Sequence, residues 1–355
     1  MRKRRLKVLL LADSRAFHTE RIVAEYRSQG LSVFTASLET GRLHHWPLRR
    51  LGPIKQTHYF LARHQVKMLI DRLAPDIINA HFASGYGFLA AEANRGRRVP
   101  LLLHLWGSDI LIVPGKSFLH RRKVTRALRA ADHVIADSQY LLDRAHAIAP
   151  TAGASVIPWG LERRWFEISN IESALQKPLR IIVPRTHAPV YNNEFIARAL
   201  RPLLDSHAIE ISFPDFGPTV EDFRRLIHDA GISNVRLYPR LGRAGFVRFA
   251  VEHDLYLSAS RSDSSPASLI EAMGLGLIPV AADIPGVREW LGPGSGLLFA
   301  QDDAEALVSL IQGLIRNNDC CRSLRQANRE RVHREAIFED NVAATIAITE
   351  RLCGR

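Results

Sequence analysis

Short, largely apolar runs alternate along this chain with longer segments whose apolar positions recur every three or four residues. The runs Lys7–Ala12, Ser32–Ser37, Ile77–Ala80, Leu101–Leu105, His133–Ala136 and Ser155–Ile157 predict strands. Amphipathic stretches between them, among them Thr19–Gln29, Gln56–Leu73 and Arg121–Ala130, predict helices. Strands apolar on both faces and joined by helical crossovers belong to parallel sheets covered on both sides. The rhythm restarts in the second half, with strands predicted at Arg180–Val183, Ile209–Phe213, Val235–Tyr238, Leu255–Ser258 and Ile278–Ala281. Helices are predicted over Val220–Ala230 and Gly245–Glu252, and Ala336–Leu352 reads as a final helix. The fold class is therefore α/β, with two Rossmann-like domains. The expected organisation is a first domain over 1–160, a connection over 161–178, a second domain over 179–335 and the closing helix over 336–355. Ligands of such sheets bind outside the carboxyl ends of the strands.

Length agrees with two cores, since 355 residues exceed what one hydrophobic core usually holds. Charge adds an asymmetry. Residues 1–178 carry 28 Lys and Arg against 14 Asp and Glu, whereas residues 179–355 carry 20 against 22. An excess confined to one half suggests a polyanionic partner there. Gly41–Leu51 and Phe118–Arg126 mix cations with large apolar groups, which suits anionic lipid headgroups. A merely solvated basic face fits equally well. No nucleic-acid module is present, so no nucleic-acid partner is expected.

The basic start Met1–Lys7 is followed by an apolar run of only Val8 to Ala12 before Asp13, too short for a signal segment or a membrane span. The expected location is the cytoplasm, peripheral on the cytoplasmic face of the inner membrane if the basic domain docks there. Cys320, Cys321 and Cys353 form no C-x-x-C pair, which suits a reducing compartment, and Cys320–Cys321 is expected on a surface helix.

The most informative stretch runs from Ser258 to Val280 and reads as strand, loop, helix, strand. Ser265 is placed to cap the helix and Pro266 to begin it. A helix start behind a Ser-rich loop offers free N–H groups to an anion such as a diphosphate. Glu271 lies within the helix, where it could accept hydrogen bonds from a ribose diol, and Asp263 lies in the loop.

This string resembles the E-x7-E region of the family 4 retaining glycosyltransferases, which have the GT-B fold. Here the pattern is Asp263-x7-Glu271, followed by Glu271-Ala-Met-Gly-Leu-Gly276 and Asp283-Ile-Pro-Gly-Val-Arg-Glu-Trp290. Further anchors fall in the family's order. Lys7–Ser14 is similar to its first strand and loop, Pro75–His81 to its acceptor-side strand, and His104-Leu-Trp-Gly-Ser-Asp109 to its H-G-x-D region. Ala131–Ser138 resembles its D-x-V-x-x-x-S strand, Val156-Ile-Pro-Trp-Gly160 its V-I-P-N-G exit, and Pro184-Arg185 its phosphate-binding arginine.

The resemblance implies two facing domains, with the final helix crossing back to the first. It implies a retaining transferase that moves a sugar from a UDP- or GDP-sugar to a glycan or lipid-linked acceptor in polysaccharide or lipopolysaccharide synthesis. No cofactor and no metal are implied beyond that co-substrate. Arg185 would neutralise the diphosphate together with the backbone of Ser265, Pro266, Ala267 and Ser268. Glu271 would hold the ribose, Asp263 the sugar hydroxyls, and the backbone at Arg240–Leu241 the base. Asp109 and Ser14–Arg15 would line the acceptor side, with His104 within reach. His18 and His81 are further candidates there, each also readable as a structural histidine.

Three positions depart from the pattern: Asp263 replaces the usual Glu, Trp106 stands where a histidine is common, and no Lys follows Arg185, leaving His187 or Tyr191 as substitutes. A non-catalytic scaffold of the same fold and, more distantly, a sugar-nucleotide epimerase therefore stay open as alternatives.

Overall fold

The computed structural model describes residues 5–41, 43–50, 55–96, 99–168, 174–317 and 321–354. The chain divides into two compact units, Met1–Pro158 with Glu339–Arg355, and Trp159–Phe338.

The first unit is built on seven parallel strands: β1 (Lys7–Leu11), β2 (Ser32–Ser37), β3 (Trp46–Pro47), β4 (Ile77–His81), β5 (Leu101–His104), β6 (His133–Ala136) and β7 (Ala154–Val156), in the order β3-β2-β1-β4-β5-β6-β7. β1 lies mid-sheet, with Val8 opposite Val33 on one side and Ile77 on the other. Its residues are buried on both faces, and Leu9 and Leu11 enter the core shared with Val66, Leu89 and Leu128. The order reverses between β1 and β4, where a doubly wound sheet opens a crevice at its carboxyl edge. The stretch predicted as one helix over Gln56–Leu73 is two, Lys55–Leu61 and Arg63–Leu73, meeting at buried Ala62. The two-residue edge strand β3 went unpredicted; it pairs Trp46 with Ala36, and its proline is tolerable at a sheet edge. The last helix, Phe338–Leu352, falls almost wholly in this unit. There Asn341 Nδ2 donates to the Pro158 carbonyl at 2.9 Å.

The second unit repeats the plan with β8 (Leu179–Ile182), β9 (Ile209–Pro214), β10 (Val235–Tyr238), β11 (Leu255–Ser258), β12 (Ile278–Ala282) and β13 (Leu297–Phe299), ordered β10-β9-β8-β11-β12-β13. Alternation along the first strand divides two cores: Ile181 and Val183 enter one, and Ile182 the other. The reversal here lies between β8 and β11, so the residues after those two strands share one crevice. The described part of the expected 161–178 connection packs into this unit. Leu161 bridges Ile337, and Phe166 is buried in the second of its cores. Cys321 is also buried rather than on a surface, at the start of the helix Cys321–Glu335; Cys320 lies outside the described residues. No helix among the described residues is long and apolar enough to cross a membrane.

Candidate functional site

The crevice at the β8/β11 reversal brings Arg185, Asp263 and Ser268 together. Arg185 follows β8 and Asp263 follows β11, and their side chains form an ion pair although 78 positions separate them. Only 14% of the arginine side chain and 16% of the aspartate side chain are accessible. The guanidinium also stacks over Tyr191 at 4.4 Å and donates to Ser268 Oγ at 3.3 Å, while Asn193 Nδ2 holds the Arg185 carbonyl at 2.8 Å. Its buried Nε has no hydrogen-bond partner among the described residues. A buried guanidinium N–H without an acceptor costs free energy unless a ligand supplies one.

The adjoining helix runs from Ala267 to Gly274. Its N-cap is Pro266, which makes no side-chain cap, so the expected cap by Ser265 is corrected. The Ser265 hydroxyl instead accepts the indole N–H of Trp290 at 2.9 Å. Proline has no N–H, so Pro266 brings none to an anion. The Pro266 carbonyl accepts from Leu269 and Ile270, whereas the N–H groups of Ala267 and Ser268 find no acceptor among the described residues. The donors left without an acceptor among the described residues are thus Ala267 N–H, Ser268 N–H and Arg185 Nε, a pattern suited to a diphosphate.

The Asp283–Trp290 segment explains how the loop keeps its shape. A β-carbon at Gly286 would collide with the Ser264 carbonyl, so the two backbones meet only because residue 286 is glycine. With Trp290 fastened to Ser265, the loop is buttressed at two neighbouring points.

Glu271 is buried and pairs with Arg243 Nη1 at 2.9 Å. Arg243 Nε reaches both oxygens of Glu162 at 3.1 Å. Burial alone would lower the arginine's affinity for its proton, but Glu271 and Glu162 outweigh it, and the guanidinium is held above its usual value. Neither Arg243 nor Glu162 belongs to a motif, and only proximity in the fold reveals them. Arg243 opens the helix Arg243–Ala250 just after Arg240 and Leu241, so it ties the predicted base loop to the predicted ribose carboxylate. Arg240 is exposed, its guanidinium 4.2 Å above the Phe216 ring, and half-buried Leu241 packs on the core. Of the two substitutes considered for the missing lysine, only Tyr191 touches Arg185. His187 is buried, its Nε2–H donates to the Pro214 carbonyl at 2.8 Å, its ring packs 4.2 Å from Phe223, and burial pushes its pKa down.

In the first unit, the carboxyl ends of β4 and β5 carry a cluster of rings. His81 lies opposite His104 in the strand register, with ring centroids 4.7 Å apart. Trp106 packs 5.5 Å from His81, and His18 5.8 Å from Trp106. His81 is 2% exposed, and among the described residues neither of its ring nitrogens has a hydrogen-bond partner; His104 Nε2 has none there either. Burial pushes His104 down to about 3 and His81 well below the ordinary histidine value. Both rings are therefore neutral near neutral pH.

Asp109 takes a different part from the one expected. It is fully buried, and its two oxygens accept the backbone N–H groups of Ala83 at 2.7 Å and Trp106 at 3.0 Å. It is a strut between the turns after β4 and β5, not a group presented to a ligand. Burial raises its carboxyl to about 6 against the pull of those N–H groups. Ser14 is likewise buried, its hydroxyl donating to the Glu39 carbonyl. Arg15 stays exposed and pairs with Asp13 at 2.8 Å and Glu39 at 3.5 Å. A cavity of about 270 Å³ next to it is lined by Arg15, Glu39, Arg50, His58 and Tyr59.

Comparison with known proteins matches both units. The family model described as Glycosyl transferase 4-like covers residues 7–138, and that described as Glycosyl transferases group 1 covers residues 170–331. A Bacillus subtilis protein named as a teichuronic acid biosynthesis glycosyltransferase, TuaC, is 27% identical over 268 residues, 72% of this chain; the match spans 66% of that relative's length, just under two thirds. Among solved structures, sucrose-phosphate synthase from Thermosynechococcus elongatus superposes with a TM-score of 0.84 at 14% identity, over 98% of this chain and 99% of that one. Anabaena HepE in complex with UDP-glucose follows at 0.79 and 17% identity, over 96% and 99%.

Proposed function

This chain belongs to the glycosyl transferase 4-like, group 1 glycosyltransferases of the GT-B fold, and from that premise we propose that it moves a sugar from a UDP- or GDP-sugar to a glycan or lipid-linked acceptor in cell-surface polysaccharide synthesis, with retention at the anomeric carbon. The observation that carries the donor half is the anion site at Arg185: an unaccepted guanidinium Nε beside the unaccepted N–H groups of Ala267 and Ser268. The UDP-glucose bound to HepE and the teichuronic acid assignment of TuaC support a nucleotide-sugar donor and a surface-glycan acceptor.

In this reading the diphosphate displaces Asp263 from Arg185 and settles on Arg185, Ala267 N–H and Ser268 N–H. These groups stabilise the negative charge that grows on the leaving phosphate as the glycosidic bond breaks, without recourse to a metal. The Asp263 carboxylate, released, turns to the hydroxyls of the sugar. Glu271, oriented by Arg243, accepts from the ribose diol. The acceptor hydroxyl attacks on the face the phosphate leaves, and the proton it loses passes to that phosphate, so the new bond keeps the configuration of the old one.

The test is incubation of the purified protein with UDP-, GDP- and ADP-sugars, with product analysis for free nucleotide, transferred sugar and epimerised donor. Release of nucleotide diphosphate with one donor supports the proposal. Silence with every donor in the presence of lipid acceptors points to the scaffold, and donor conversion without any acceptor points to the epimerase.

A further inference from the structure

One concavity lies away from the donor crevice. It is a groove of about 1190 Å³ on the first unit, between the helices Phe88–Ala93 and Phe118–Ala130. It reaches from Ser117, which caps the second helix, to Leu101, the first residue of β5. Arg122, Arg126 and Arg129 recur at helical spacing along one wall, with Lys123 beside them and Arg95 across the groove. Glu92 is the one acid among the described lining residues, and Arg126 already pairs with it at 3.0 Å. Arg95, Arg122 and Arg129 are exposed and make no ion pair among the described residues.

Large apolar side chains rim this cationic groove. Phe118 and Leu119, at the start of the helix, are 75% and 67% exposed. Phe60, at the groove's edge, is 40% exposed and carries Arg63 over its ring at 3.7 Å. Lys123 lies over the Phe88 ring at 5.4 Å, and partial burial pushes its ammonium below the ordinary lysine value. Leaving a phenylalanine and a leucine so open to water is unfavourable unless something apolar covers them.

We propose that this groove docks the protein on an anionic membrane surface, with Arg95, Arg122 and Arg129 on lipid phosphates and Phe118 and Leu119 inserted among the acyl chains. The pairing of cations with protruding apolar groups selects a bilayer over a soluble polyanion. An acidic glycan would satisfy the arginines but leave Phe118 and Leu119 in water, whereas an interface satisfies both. The inference does not rest on the donor site, and a chain unable to transfer sugar would still dock.

The test is co-sedimentation of the full chain with vesicles of phosphatidylglycerol and phosphatidylcholine, against vesicles of phosphatidylcholine alone. Binding to the anionic vesicles that fades with salt is expected. Arg122→Glu with Arg129→Glu should lower it more than about tenfold, since each cation near such a surface contributes about fivefold. Phe118→Ser with Leu119→Ser should lower it by a similar factor, with unchanged melting temperature and UDP binding. Should the arginine variant melt early, the Phe118 and Leu119 variant decides. The proposal is overturned by absence of vesicle binding, by equal binding to both vesicle types, by full binding of the variants, or by binding to soluble polyuronate but not to vesicles.

Discussion

Arg185 and Asp263 clasp one another at the point where the second sheet reverses its strand order. The pair sets a condition on donor binding: the arginine cannot give its full charge to a diphosphate while the aspartate holds it. Aspartate is one methylene shorter than the glutamate common in the family at this position, and in this fold its carboxylate falls on the guanidinium.

Asp263→Asn should therefore separate binding from turnover. With the guanidinium released, free UDP or GDP should bind about tenfold more tightly, roughly the 1.4 kcal/mol expected for losing a competing charge at a mostly buried site. Sugar transfer should fall at the same time, because the proposal gives that carboxylate the sugar hydroxyls to hold. Titration calorimetry and steady-state rates measured on one preparation check both halves.

Arg243 stands between two buried carboxylates, Glu162 and Glu271. Removing it leaves like charges facing each other without a counter-ion, which typically costs about 3–5 kcal/mol. Arg243→Ala should lower the melting temperature markedly and weaken nucleotide binding. Arg243→Lys should recover part of the stability and less of the binding, because an ammonium cannot span both carboxylates as the fork does.

Gly286→Ala adds a single carbon against the Ser264 carbonyl. The loop carrying Asp263 must shift to admit it. UDP affinity should drop by more than about tenfold while the fold survives, since overpacking of this kind costs about 1–3 kcal/mol. Trp290→Phe, which removes the N–H held by Ser265, should weaken UDP binding less. A scan of UDP affinity across the two variants distinguishes them.

The first unit carries two opposed pH effects. His104 is held near 3 when folded but titrates near 6.5 when unfolded, so the unfolded state binds more protons between those values. Stability from this group is present above about pH 6.5 and is lost as pH falls, by up to about 1.4 kcal/mol per unit. Asp109 is held at about 6 against an ordinary value near 3.9, so the folded state binds the extra proton there, and stability falls as pH rises from about 4 to 6. His104→Gln should flatten acid destabilisation below about pH 6.5, and Asp109→Asn should steepen it between about pH 4 and 6. Urea midpoints measured across pH test both signs.

The elements of this fold were legible because its strands are buried on both faces, so apolar runs such as Lys7–Leu11 and Leu255–Ser258 stand out against amphipathic helices. The motif pattern singles out Arg185 and Asp263, and the sheet order gives the physical reason their side chains meet. What stayed hidden depends on packing that no local pattern encodes. Ser265 has the composition of a cap, but a tryptophan 25 positions away claims its hydroxyl. Asp109 looks like a cleft acid, yet two backbone N–H groups occupy it. Arg243 sits in an ordinary helix start and gains its meaning only from the two carboxylates folded onto it. Edge strand β3 is two residues long and too short to leave a periodic signal.

The most direct test of the donor site is calorimetric titration of UDP and GDP into the wild-type chain, Arg185→Ala and Glu271→Ala. One nucleotide should bind the wild type, and each variant should lose at least about tenfold in affinity, as expected when a charge-assisted hydrogen bond worth about 1.5–3 kcal/mol is removed. Equal affinity in all three proteins, with the fold intact, would contradict it.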